Sequence, residues 1–219
     1  VTGAIGHICS YLIRDLALQF SGSEIVMIDN LMTQRFPSLF NLPTSAKYSF
    51  IEGDLTSMEL NPIFKGVDTV IHLAAITDAA GSVDNAELLE SNNFIGTEKV
   101  AIACLENACN LITLSSTSVY GTQNSLVSED CDESELQPQS PYAITKLKEE
   151  RLIDSLFKEH GLSAVSLRFG TIFGHSPGMR FHTAVNKFCW QAVMDLPITV
   201  WKTAYDQKRP YLDIRDASK

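Results

Sequence analysis

The sequence has no cluster of basic residues, no cysteine pair in C-x-x-C spacing, and no apolar run near the roughly 20 residues that cross a bilayer. With 17 Lys and Arg against 26 Asp and Glu, the net charge of −9 and the lack of a Lys/Arg cluster disfavour the basic stripe that nucleic-acid binders turn toward phosphate. Any anionic ligand must therefore be met by local groups. Five cysteines, at positions 9, 104, 109, 131 and 189, are an odd number and point to neither a disulfide framework nor a zinc site. Reduced, mostly buried thiols and no metal are expected. The N-terminus has no signal-peptide pattern, and these absences together predict a cytoplasmic protein that binds neither nucleic acid nor membrane.

What is present is the composition of a globular fold: 45% hydrophobic and 20% charged residues over 219 positions, enough for one sizeable domain with at most a small appendage. Short β-branched runs alternate with segments of helical period, the signature of βαβ units on a parallel sheet. Strands are expected at 24–29, 48–53, 68–75, 110–116 and 163–170, and helices at about 7–20, 57–65, 84–108 and 141–160. Near-continuous apolar strands imply burial on both faces. The predicted fold class is α/β, a Rossmann-type doubly wound parallel sheet over 1–174. From 175 to 219 the rhythm changes to loop, a helix near 180–194, and short strands around ITVW (198–201) and PYLDI (210–214), the expected start of a substrate-binding region. Only Val1 and Thr2 precede the first glycine turn and Lys219 follows directly on a helix start, so the chain reads as part of something longer.

The opening VTGAIGHICSYL contains the first two glycines of a G-x-x-G-x-x-G turn, Gly3 and Gly6, with Cys9 in the third place. In such a turn the first glycine makes the bend, the second lets backbone approach a pyrophosphate, and the third lets the helix pack on its strand. A thiol in the third place predicts overpacking of about 1–3 kcal/mol while sparing the backbone cradle. Asp29 ends the next strand, where a carboxylate binds a ribose 2′-hydroxyl and repels a 2′-phosphate; NAD is favoured over NADP, with Arg35 the counter-indication.

A second cluster lies further on. ITLSSTSVYG places hydroxyls at the carboxyl end of a strand, where open α/β sheets hold ligands. In SPYAITK, Ser140 and Pro141 form a helix start, and Tyr142 and Lys146 share one face. An ammonium one turn from a phenol stabilises phenolate and equips it for proton transfer. Ser116 would hydrogen-bond the same substrate oxygen.

Together VTGAIGHI, IDN, EGDLT, VIHLAA, NNFIGT, SSTSVYG, SPYAITK, LRFGTIFG and KRPYLDIRDA resemble an extended short-chain dehydrogenase/reductase of the NAD-dependent epimerase/dehydratase family. The resemblance implies that Gly3, Gly6, His7 and Ile8 line the pyrophosphate, Asp29 and Asn30 the adenosine ribose, and Asp54 and Leu55 the adenine. It further implies that Leu73, Ala74, Ala75 and Asn93 run along the rest of the cofactor. Ser116, Tyr142 and Lys146 match the family's catalytic triad, the last two also touching NAD, while Thr171 and Arg209 match contacts to a nucleotide-sugar substrate. It implies a homodimer pairing the two long helices. The Asp-Glu pair of the sugar 4,6-dehydratases is replaced by Thr117 and Ser118, which disfavours water loss by that route. The leading expectation is epimerisation of a nucleotide sugar through a transient keto intermediate. A nucleotide-sugar reductase or dehydratase, and an idle NAD-sensing or scaffold protein, remain alternatives.

Other conspicuous residues are expected to be structural: His72 as a core histidine, 128–135 (SEDCDESE) as a solvated loop, and RFPSLFNLP as cover for the adenine side or the sheet edge. His175 and His182 carry no assigned role.

Overall fold

A strand whose successive side chains are all apolar needs cover on both sides, because neighbouring residues point to opposite faces. In the computed structural model, which describes residues 1–77, 86–122, 126–200, 202, 205–206 and 208–219, β1 (Glu24–Asp29) meets that need. Its Ile25 and Met27 pack with Ala4, Cys9, Ile13 and Ala17 around α1 (His7–Gln19). On the other face Ile28 joins a larger core with Leu55, Phe64, Val100, Cys104 and Leu111.

All strand pairings among the described residues are parallel. β1 pairs β2 (Lys47–Glu52), and β3 (Thr69–His72), β4 (Asn110–Ser116) and β5 (Ala164–Phe169) follow one another. Thr2 bridges Ile28 on one side and His72 on the other, so residues 1–4 lie between β1 and β3 and close one continuous sheet. α2 (Asn61–Phe64), α3 (Ala86–Asn107) and α4 (Pro141–His160) supply the crossovers. This is the expected Rossmann-type doubly wound sheet.

Local chemistry sets the boundaries. The Ser140 hydroxyl accepts the Ala143 N–H at 3.2 Å, Pro141 opens α4, and Gly161 closes it with a left-handed φ of +75°. α2 is shorter than the helix expected at 57–65: Asp54 draws the Thr56 N–H into a turn, and Pro62 marks the helix start. The last expected strand breaks at Gly170, where a Cβ would sit 2.7 Å from the Pro210 carbonyl oxygen. The chain continues as β6 (Thr171–Phe173), which pairs with β7 (Tyr211–Asp213) in a second sheet. α5 (Ala184–Val193) occupies the predicted helical region and α6 (Ile214–Ala217) follows β7. The strand expected at ITVW is not formed: 198–200 run without a ladder partner, Ile198 and Val200 exposed, and β-branched residues alone do not make a strand. Trp201 lies outside the described residues. Among the described residues no helix is long and apolar enough to cross a membrane.

Candidate active site

The glycine turn stands at the carboxyl edge of the main sheet, beside the ends of β1 and β3. Gly3 adopts φ +69°, and a Cβ there would lie 2.8 Å from the Cα and N of Ala74, so only glycine permits this approach. Gly6 donates to the Gly3 carbonyl at 2.9 Å and is the N-cap of α1, which has no side-chain cap and no acid in its first turn. The N–H groups of a helix start lack intrahelical partners and carry the positive end of the dipole, a fit for a diphosphate.

Cys9 is absorbed without breaking the helix. Its thiol donates to the Thr2 carbonyl at 3.4 Å, and the small side chains of Ala4 and Ala17 make room in its cluster. Burial pushes the thiol well above its ordinary pKa, so the residue is inert.

Asp29 receives the Ile5 N–H at 3.1 Å on one oxygen and the Leu31 N–H at 2.8 Å on the other, tying the end of β1 to the glycine turn. Each carboxylate oxygen keeps acceptor capacity for a ribose hydroxyl. Asn30 donates to Asp54 at 3.4 Å, and the Thr56 hydroxyl, with its N–H, holds the Asp54 carboxyl below the usual range. The Leu55 side chain belongs to the core. After β3, the Leu73 and Ala74 N–H groups both reach the Thr2 hydroxyl at 3.3 Å, and Ala75 continues the same edge. Asn93, on α3, clamps Ile76 from both sides, accepting its N–H at 2.8 Å and donating to its carbonyl at 2.9 Å. Ile8 is half-buried in the first turn of α1. The His7 side chain turns inward, Nε2 2.9 Å from the Gly174 carbonyl, which leaves its backbone N–H at the helix start.

Ser116 ends β4 and caps the 3-10 turn Thr117–Tyr120, its Oγ accepting the Ser118 N–H at 3.2 Å and the Ser118 hydroxyl at 2.9 Å. That turn packs against α4, which carries Tyr142 and Lys146. The Lys146 Nζ is 5.9 Å from the Tyr142 ring centroid and 2.8 Å from Glu149 Oε2. Thr171 and Arg209 come together at the small sheet: Thr171 N–H donates to the Pro210 carbonyl at 2.9 Å, and exposed Arg209 immediately precedes that proline. His72 is a core residue, its ring nitrogens 2.7 Å from the Thr2 hydroxyl and 3.0 Å from that of Thr97. Cys189, His175 and His182 are exposed.

Sequence patterning missed the segment 174–180, which lies over the glycine turn. Gly178 donates to the Ser10 hydroxyl at 2.9 Å, and Ser176 donates to the His7 carbonyl at the same distance. A Cβ on Gly178 would stand 2.5 Å from the Ile5 oxygen and 2.7 Å from that of Gly6. Arg180 reaches the Thr77 hydroxyl beyond β3. The available signal was GHSPG, two glycines around Ser-Pro directly after a strand. RFPSLFNLP serves the same turn, Ser38 donating to the Ile5 carbonyl at 2.9 Å while Leu39 and Leu42 pack onto the α1 core.

A model of the NAD dependent epimerase/dehydratase family matches residues 1–219. The chain belongs to that family. Among its curated members, the chain is 30% identical to the "Uncharacterized UDP-glucose epimerase YtcB" of Bacillus subtilis, covering 100% of this chain and 69% of that protein. It is likewise 30% identical to UDP-glucuronate 4-epimerase 1 of Arabidopsis thaliana, where it spans 52% of the longer protein. Of solved structures, UDP-glucuronic acid 4-epimerase from Bacillus cereus, in complex with UDP-glucuronic acid and NAD, superposes with a TM-score of 0.87 at 30% identity, over 99% of this chain and 69% of that one. A likeness in fold alone, at 24% identity and TM-score 0.89, is found with Pal from Bacillus thuringiensis.

Proposed function

We propose that this protein epimerises a uridine-diphosphate sugar with NAD, through a transient keto sugar. The observations that support this reading are the uncapped helix start behind Gly3 and Gly6 and the Tyr142–Lys146 pair on α4, the helix that packs against the turn capped by Ser116. Bound NAD would supply the hydride acceptor, which afterwards serves as donor. The backbone at Gly3, Gly6, His7 and Ile8 would hold the diphosphate, Asp29 and Asn30 the adenosine ribose, and Asp54 and Leu55 the adenine side, with Leu73, Ala74, Ala75 and Asn93 shaping the remaining wall. Tyr142 takes the proton of the reacting hydroxyl and later returns it, Lys146 stabilises its anionic form, and Ser116 orients the sugar oxygen. Arg209 would meet the substrate diphosphate and Thr171 its sugar side. Residues 1–174 would form the NAD-binding part and 175–219 the beginning of the substrate-binding part. Thr117 and Ser118 offer no carboxylate for dehydration.

The family match and the UDP-sugar names of its members support this reading. Pairing of two copies through α3 and α4 is proposed with it, on the exposed Ile95, Ile102, Ile144 and Phe157 of those helices, and sedimentation tests it. The chemical test uses UDP-glucose and UDP-glucuronic acid deuterated at C4. Product inverted at C4 with deuterium retained supports hydride removal and return, whereas stoichiometric NADH without inversion favours a dehydrogenase.

A further inference from the structure

Glu149 follows Lys146 by one turn of α4, and nothing in the proton transfer described above uses it. Both side chains are 6% exposed, with Nζ and Oε2 2.8 Å apart. The other oxygen, Oε1, is buried without a hydrogen bond of ordinary geometry. Buried ion pairs add little net stability, so folding alone does not account for this residue.

We propose that Glu149 is a positioning residue that keeps the Lys146 ammonium charged and fixed while that side chain is shut away from water, so that Tyr142 retains its cationic partner as the pH rises. The proposal rests on the assignment of Tyr142 and Lys146 as the acid–base pair.

Of the groups around Lys146, Glu149 does most to hold its charge. Lys146 faces Tyr142, Glu149 and Glu150 from its own helix and His72 from β3, while Thr97 of α3 stands against Glu149. His72 is neutral, its pKa pushed down to about 3 by burial and by the charge of Lys146. Glu150 is engaged by Arg168 at 2.7 Å. Burial pulls the Lys146 ammonium down; Glu149, the foremost of the opposing groups, acts with Tyr142 and Glu150 to outweigh that pull, so the lysine lies above its ordinary range. For Glu149 burial pushes the carboxyl up, against the pull of Lys146 and, behind it, of the Thr97 side chain.

Glu149→Gln keeps the size and removes the charge. In protein carrying lysine labelled with 13C at Cε, free of NAD and sugar, the Lys146 resonance is assigned by its loss in Lys146→Arg. The expected result is an ammonium that persists past 10.5 in the parent and titrates at least about one pH unit lower in Glu149→Gln. With NAD and UDP-sugar, the variant's kcat/KM should fall about tenfold further at alkaline pH than near neutrality, and Glu149→Asp should recover most of that loss. Equal titration of Lys146 in parent and Gln variant overturns the proposal. So does a parent Lys146 that is already deprotonated near neutrality, a result that decides even if the variant does not fold. Because this titration needs no turnover, its failure is distinct from absence of epimerisation in the parent protein.

Discussion

Gly178→Ala puts a methyl group where three oxygens already stand. Its Cβ would lie 2.5 Å from the Ile5 carbonyl, 2.7 Å from that of Gly6 and 2.8 Å from the Ser38 hydroxyl. Ser38 can rotate, but the two carbonyls are the backbone of the glycine turn and cannot swing aside. Relief requires segment 174–180 to lift, which weakens the Gly178-to-Ser10 and Ser176-to-His7 hydrogen bonds. Two such bonds at about 1 kcal/mol each, with overpacking of similar size, give a loss of about 2–4 kcal/mol. For a chain of this length that corresponds to a Tm lower by about 5–15 °C. NAD affinity should fall as well, because the displaced segment supports the start of α1. Gly22→Ala is the control: its φ is +86° but nothing lies within 4 Å, so only left-handed backbone strain of about 1 kcal/mol is expected. Thermal melts and NAD titrations of both variants decide the matter. A Gly178→Ala protein that melts with the parent, or less affected than Gly22→Ala, would refute the packing of 174–180 on the turn.

Native protein treated with a thiol-specific disulfide reagent should react first at exposed Cys189 and then at Cys131, while buried Cys9, Cys104 and Cys109 react only on unfolding; mass mapping of labelled peptides checks the order. His72 makes stability fall with acid. Its folded pKa of about 3 lies below the ordinary 6.5, so the unfolded chain binds the extra proton between those values. The contribution is whole above 6.5 and declines on acidification by up to about 1.4 kcal/mol per pH unit. Urea unfolding across that window should show a shallower pH slope in His72→Gln, and an unchanged slope would contradict the buried neutral imidazole.

The parts written in local chemistry could be read from the chain directly. Ser140, Pro141 and Gly161 bound α4 as capping rules require, and the alternating cover of Ile25, Met27 and Ile28 follows from an unbroken apolar strand. What depends on distant partners could not. The inward turn of the His7 ring toward Gly174, 167 residues away, has no local signature. The accommodation of Cys9 depends on alanines at positions 4 and 17, and the missing strand at 198–200 on the absence of a ladder partner there. The seat of 174–180 on the glycine turn is likewise tertiary, although the glycines that permit it stand in plain view.

The central claim is that Tyr142, backed by Lys146, moves a proton while hydride shuttles between a UDP-sugar and NAD held at the glycine turn. Its most direct test is absorbance at the NADH band after UDP-glucose or UDP-glucuronic acid is mixed with NAD-loaded protein, parent against Tyr142→Phe. The account predicts a transient NADH signal and C4 inversion in the parent, with NAD still bound but turnover lower by about 10²–10⁴-fold in the variant. A Tyr142→Phe protein that turns over like the parent, or a parent that binds NAD and never reduces it, would contradict the account.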